Sequence, residues 1–143
     1  MPEFDHKRTF HGTSEEYAES IKSGKIQVRA GGGELGQGFY LGHEIHVAKA
    51  WAMQKFGCES VVEFRMAESD FWGFQIKALD KVEAIEQRRT IKKLGLQRSY
   101  TFQQDVVWAP IVGGAEVYCD QDKWESSRGE DYLNGETVAR RIR

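Results

Sequence analysis

The sequence predicts a mixed α+β fold, with residues 1–143 as one domain. Three observations carry this. Helical periodicity appears early and in the middle, around residues 13–23, 45–56 and 80–93. Short strand-like runs dominate the last third. No regular strand–helix–strand rhythm links them, which disfavours a doubly wound parallel sheet.

Each element has its own signal. Lys7 to Phe10 reads as a strand. Thr13-Ser14-Glu15-Glu16 fits a capping box, with Thr13 as the N-cap and Glu16 three residues on. The helix behind it buries Ala18 and Ile21 and stops at Gly24. Lys25 to Arg29 alternates like a strand. Residues 31–42, GGGELGQGFYLG, form a glycine-dense loop ending in a short strand at Phe39-Tyr40-Leu41. Ile45, Ala48, Trp51, Ala52 and Phe56 recur at helical spacing before a stop at Gly57. SVVEFR at 60–65 is a strand. Leu79, Val82 and Ile85 place a helix at Asp80 to Lys93. DVVWAPI at 105–111 is a strand, Gly113-Gly114 a turn, and Ala115–Cys119 and Gln121–Ser126 are two short strands or one bulged one. Asp131 to Leu133 closes the fold, where Glu130 and Asn134 shape a turn. Residues 136–143, ETVARRIR, are expected to be a mobile basic tail.

Composition excludes several classes. Twenty Lys and Arg against 22 Asp and Glu leave a net charge of −2, so no bulk electrostatic case exists for nucleic acid or membrane partners. No apolar run spans a bilayer, and the charged N-terminus is no secretion signal. Cys58 and Cys119 show no CxxC spacing, which suits free thiols and a cytoplasmic setting. His43 and His46 in GHEIH lack further ligands nearby. They read as surface residues, and no metal is expected.

Six glycines in the twelve residues 31–42 need a reason, because glycine weakens helices and strands. GELGQG matches neither a P-loop nor the dinucleotide GxGxxG, and it feeds a strand rather than a helix. A plain surface hairpin is one reading. Close approach of backbone to a ligand is the other. His11 and Gly12 stand at a strand end, where a loop histidine is ordinary but open backbone groups suit a ligand. Tyr40 and Trp51 lie eleven residues apart on a strand and a helix. They are either core or a clamp for a flat ring.

Taken in order, FHGTS, LGQGFYLG and AKAWA resemble the ADP-ribosyltransferase superfamily. The likeness is to its histidine–tyrosine branch, which includes the poly(ADP-ribose) polymerases and diphtheria-type toxins. The match is closest to its small bacterial and fungal members. It extends through DVVWAPI, QDKWES and Leu133-Asn134, covering about residues 8 to 135. The resemblance implies an ADP-ribosyltransferase-like fold, in which two small antiparallel sheets and flanking helices form a cleft for NAD.

The resemblance also implies roles. His11 would bond a ribose hydroxyl, and the Gly12 backbone would pair with the nicotinamide amide. Thr13 and Gly38 would belong to the same binding surface. Tyr40 and Trp51 would cover the two faces of the nicotinamide ring. Gln121 falls where the superfamily generally has a glutamate. A glutamine can bond the ribose but brings no charge and no general base. Glu125, an even step along the strand, could supply a carboxylate, as could Glu116 or Asp120; otherwise Glu125 is a solvated strand charge. The implied activity is NAD-dependent mono-ADP-ribosyl transfer to an unknown acceptor, protein, nucleic acid or small molecule. A toxin or effector role fits the size, with an antitoxin or a larger parent protein as partner. The rivals are an inactive NAD- or ADP-ribose-binding module and an NAD glycohydrolase. A tRNA 2′-phosphotransferase is a weaker one, since Arg88 and Arg89 lie on a helix far from His11.

Overall fold

The computed structural model describes residues 6–113 and 118–143. Strand β1 (His6–Gly12) leads into helix α1 (Glu15–Lys22). Ser14, not Thr13, caps this helix, its hydroxyl accepting from the Tyr17 N–H. Thr13 instead continues the strand pairing, its N–H donating to the Ser60 carbonyl at 3.0 Å. The N-cap reading is one residue early and the expected capping box does not form, because the ladder with the strand at 61–67 claims Thr13, and Tyr17, not Glu16, then stands third after the cap. A full capping box does occur later, where Asp80 and Glu83 exchange bonds at the start of α4 (Lys81–Lys93).

The expected strand at Lys25–Arg29 does not form. Ile26 and Val28 are buried, as alternation requires, but side chains serve as their backbone partners. Asn134 takes both the N–H and the C=O of Ile26, and Glu130 accepts from Val28 N–H. Both residues lie on or beside α5 (Ser127–Asn134), a helix the sequence reading did not anticipate. Residues 32–37 make a two-stranded ribbon, β2 (Gly32–Gly33) with β3 (Gly36–Gln37), followed by β4 (Phe39–Gly42) and α2 (Ile45–Phe56). Gly57 ends α2 in the left-handed region at φ 73°. Next come β5 (Val61–Ala67), α3 (Glu68–Phe71) and β6 (Ile76–Ala78). After α4 the chain adds β7 (Val106–Pro110), β8 (Asp120–Trp124), α5 and β9 (Ala139–Ile142). Gly114, Glu116 and most of the expected strand at Ala115–Cys119 lie outside the described residues.

One seven-stranded mixed sheet runs β6-β7-β8-β4-β1-β5-β9, rather than two small antiparallel sheets. The sole parallel pair among the described residues is β6 with β7. Yet the sheet is nearly split. β1 and β4 share a single register pair, Phe10 opposite Gly42, whereas β1 and β5 share seven. The last residues are not a free tail. β9 pairs with β5 from Val62 to Arg65, and Arg140 donates to the Leu133 and Gly135 carbonyls.

Side-chain alternation sorts the two faces. On one face Phe39, Leu41, Val62, Phe64, Met66, Val106 and Trp124 pack with Ala18 and Ile21 of α1. On the other, Phe10 and Val61 pack on Ala48 of α2, while Val107 and Ala109 pack on Leu35, Leu79 and Ala84. Each fully buried apolar side chain contributes roughly 1.5–3 kcal/mol, more than a typical helix cap at about 1 kcal/mol. Packing on the sheet therefore outranks local signals where the two conflict.

Candidate active site

The split between β1 and β4 is where the singled-out residues meet. Thr13 N–H points to β5, so antiparallel alternation turns the Gly12 N–H and C=O the other way, toward β4. The β4 strand has already diverged there. Gly12 is glycine for a packing reason as well. A Cβ on it would sit 2.2 Å from the Ala48 carbonyl oxygen, so α2 could not lie this close to the strand.

His11 bridges the split. Its Nδ1 lies 2.7 Å from the Tyr40 carbonyl, and its ring stacks on Phe39 with centroids 4.3 Å apart. A carbonyl only accepts, so Nδ1 carries the proton. Burial lowers the pKa of the ring, opposed in part by the Tyr40 bond. The ring is therefore neutral, and Nε2 keeps an unshared pair.

Tyr40 projects to the opposite face from His11, because neighbouring β4 residues alternate. Its hydroxyl is locked, accepting from Leu35 N–H at 3.0 Å and donating to the Gly36 carbonyl at 2.6 Å. Burial pushes its pKa far up. A Cβ on Gly33 would stand 2.8 Å from the ring's Cζ, so this glycine clears space for tyrosine. Gly38 does the same for Lys123, whose Cγ would lie 2.5 Å from a Cβ there. Thus the glycine stretch wraps the Tyr40 ring and lets β8 approach. Trp51 lies on the Tyr40 side of the sheet, on α2, with 52% of its surface exposed. It is neither core nor stacked on Tyr40; its described neighbour is Lys55, 5.2 Å above the ring. Thr13 is only 4% exposed, and its backbone groups bond Ser60 and the Cys58 thiol.

Gln121 stands opposite Gly42, in the same row as Phe10, about 10 Å or two strands away. It shares the Tyr40 face. Its Nε2 donates to Glu34 Oε1 at 2.7 Å. Glu34 is the one acid within the glycine stretch and the site residue that sequence reasoning passed over. Its charge among glycines was the available signal. Arg88, read as far from His11, lies with its Nε 3.4 Å from Glu34 Oε2.

Glu125 is not a solvated charge, nor is it brought to His11. It is buried, and its oxygens accept from the Phe102 and Gln104 N–H groups. Lys123 closes on it at 2.6 Å and also donates to the Leu35 carbonyl. Desolvation lowers the Lys123 pKa, and Glu125 opposes that. Asp120 accepts from the Trp108 indole at 2.8 Å on the other face of the sheet. His43 is no plain surface residue either. It lies 3.0 Å from Asp122, which is 0% exposed and also 3.2 Å from Lys7, though neither group approaches along a hydrogen-bond direction. His46 is exposed, as expected.

Two cavities lie elsewhere. One, of about 320 Å³, is lined by Arg88, Arg89, Lys92 and Lys93; the other, of about 680 Å³, by Gln37, Gln104 and Glu125 among others. Neither is lined by His11, Gly12, Tyr40 or Trp51. Among the described residues no cluster of His, Cys, Asp and Glu is arranged to hold a metal ion. No helix of the described chain is long and apolar enough to cross a membrane. No protein-family model matches the chain, and no curated protein is significantly similar to it.

Proposed function

We propose that this protein is an NAD-dependent mono-ADP-ribosyltransferase whose substrate enters the notch between β1 and β4. The observation that carries the reading is the His11–Tyr40 link. It holds a neutral imidazole whose Nε2 has no partner among the described residues, beside backbone groups of Gly12 that lie past the one β1–β4 register pair. Such a pair suits a ribose hydroxyl and a primary amide, the two polar ends of nicotinamide riboside. On the face of the sheet opposite the His11 ring, Trp51 is half-exposed and would offer a flat surface for the nicotinamide ring, beside a Tyr40 ring that the glycine ribbon holds in place. In the reaction the C1′–N bond breaks and its electron pair leaves with nicotinamide. A lone pair of the acceptor then bonds C1′, and the acceptor's proton passes to solvent. The chain's part is to orient the ribose and favour the positive charge that develops at C1′.

A second reading is an inactive NAD- or ADP-ribose-binding module. It draws on Gln121 standing where a carboxylate is expected, and on Glu125 being committed to Lys123 and two N–H groups. Glu125→Gln does not separate the two readings cleanly, because it leaves the buried Lys123 ammonium without its counter-charge.

The deciding experiment incubates the purified protein with NAD⁺ and follows free nicotinamide. His11→Ala should lower release on the order of 100-fold, the scale of a misplaced substrate. Trp51→Ala, at a half-exposed site, should leave the melting temperature unchanged. Loss of one stacking surface worth about 0.5–1.5 kcal/mol should raise KM roughly 2- to 12-fold. Tight NAD⁺ binding without release would favour the binding module. Neither binding nor release would reject both.

A further inference from the structure

We infer that Glu34 is the positioning residue for Gln121, and that the two side chains act as one unit in place of a carboxylate at residue 121. The inference rests on the transferase reading above. A glutamine amide has a donor end and an acceptor end, and its neighbours decide which faces a ligand. Here Nε2 lies 2.7 Å from Glu34 Oε1. An ionised carboxylate accepts and never donates, so the amide cannot turn round without facing oxygen to oxygen. The Gln121 Oε1 therefore points away from Glu34. It carries no hydrogen bond among the described residues, and it is not one of their enclosed unpaired atoms. An incoming hydroxyl can donate to it, as it would to a glutamate.

The Glu34 charge reaches that oxygen through the amide. A charge-assisted bond at Nε2 polarises the group toward Oε1, strengthening it as an acceptor. Gln121 thus supplies the contact and Glu34 the negative charge that glutamine lacks. Glu34 is itself held. Its Oε1 accepts from the Val112 N–H at 3.1 Å, and its Oε2 faces Arg88. Its side chain is 15% exposed. Gly113 makes room for it, since a Cβ there would stand 2.5 Å from Oε2. The glycine stretch therefore delivers an acid to a strand that has none at that position.

The bland alternative is that Glu34 only anchors the ribbon β2–β3 to Val112 and Arg88. Charge-neutral Glu34→Gln separates the two, since its oxygen can still accept from Val112. Mere anchoring predicts nicotinamide release within threefold of the wild type. The proposal predicts a kcat at least 30-fold lower, with KM for NAD⁺ and melting temperature little changed. Gln121→Glu would set two carboxylates against each other, with Arg88 of α4, Lys123 of β8 and Tyr40 of β4 as the nearby titratable groups. They would share a proton, and kcat would gain a pH-dependent limb that the wild type lacks. The exchange variant Glu34→Gln/Gln121→Glu should recover kcat and lose that limb. A wild-type kcat in Glu34→Gln, or an exchange variant no better than it, would overturn the proposal.

An activity-free readout tests the pairing itself. The Nε2 donates to a carboxylate oxygen at 2.7 Å, so the side-chain amide ¹⁵N–¹H signals of Gln121 should move in Glu34→Gln, where that oxygen is no longer a carboxylate's. Amide signals that the substitution leaves in place sink the pairing whatever the activity. A wild-type protein that releases no nicotinamide sinks the transferase reading, and with it the role at the ribose.

Discussion

His11 shows how one side chain acquires a function from two neighbours. The Tyr40 carbonyl selects its tautomer, and stacking on Phe39 buries one face of its ring. The same burial makes folding sensitive to acid. The folded-state pKa lies below the ordinary 6.5, so in that window the unfolded chain binds a proton that the folded chain refuses. Stability should therefore fall as pH drops through 6.5, and level off below the folded-state value. Urea midpoints measured from about pH 8 to pH 5 would show this slope, and His11→Asn should flatten its share of it. A slope identical in the variant would mean that other groups carry the acid sensitivity.

At the scale of elements, the glycine ribbon works as a mould for Tyr40. Its backbone supplies both hydroxyl partners, and Gly33 faces the ring at a distance no Cβ could occupy. Gly33→Ala should push the ring out and break both bonds. A cost of about 1–3 kcal/mol follows from leaving a buried donor unpaired. Chemical denaturation would measure it, and NAD⁺ affinity should fall in parallel. A loss of stability with affinity intact would detach the ring from the proposed site. The unforeseen strand β6 and helix α5 are short, and their local signals are weak. Gly129 within α5 looks like a breaker, yet a Cβ there would stand 2.7 Å from Trp124. It is a packing glycine in a helix that tertiary contact stabilises.

Across the whole molecule, the near-split of the central sheet creates the notch, and the strands at its two margins hold it. β9 covers the outer edge of β5, and Arg143 lies 3.7 Å from Glu63, which also pairs with Arg8 at 2.6 Å. Removing residues 139–143 should uncover that edge. An open edge invites pairing with another chain. Thermal unfolding should drop by on the order of 5 °C or more, and sedimentation should reveal concentration-dependent association. An unchanged melting temperature would mean that β9 contributes little.

The sequence by itself determined the mixed α+β class, the bounds of α2 and α4, and the left-handed stop at Gly57. Each depends on contacts within a few residues: helical spacing, a capping box at Asp80, and the freedom of glycine at positive φ. The alternation at Lys25–Arg29 agrees with the burial of Ile26 and Val28, although the strand read from it does not form. It could not say that Asn134 and Glu130, more than a hundred residues on, would replace a strand partner. Other features belong to the tertiary structure alone: His11 set across from Tyr40, the opposite faces of their rings, the burial of Lys123 with Glu125, and the reach of Glu34 to Gln121. These depend on which strands become neighbours and in what register. Register is a property of the whole sheet, decided by burying both faces at once, and no local run of residues encodes it.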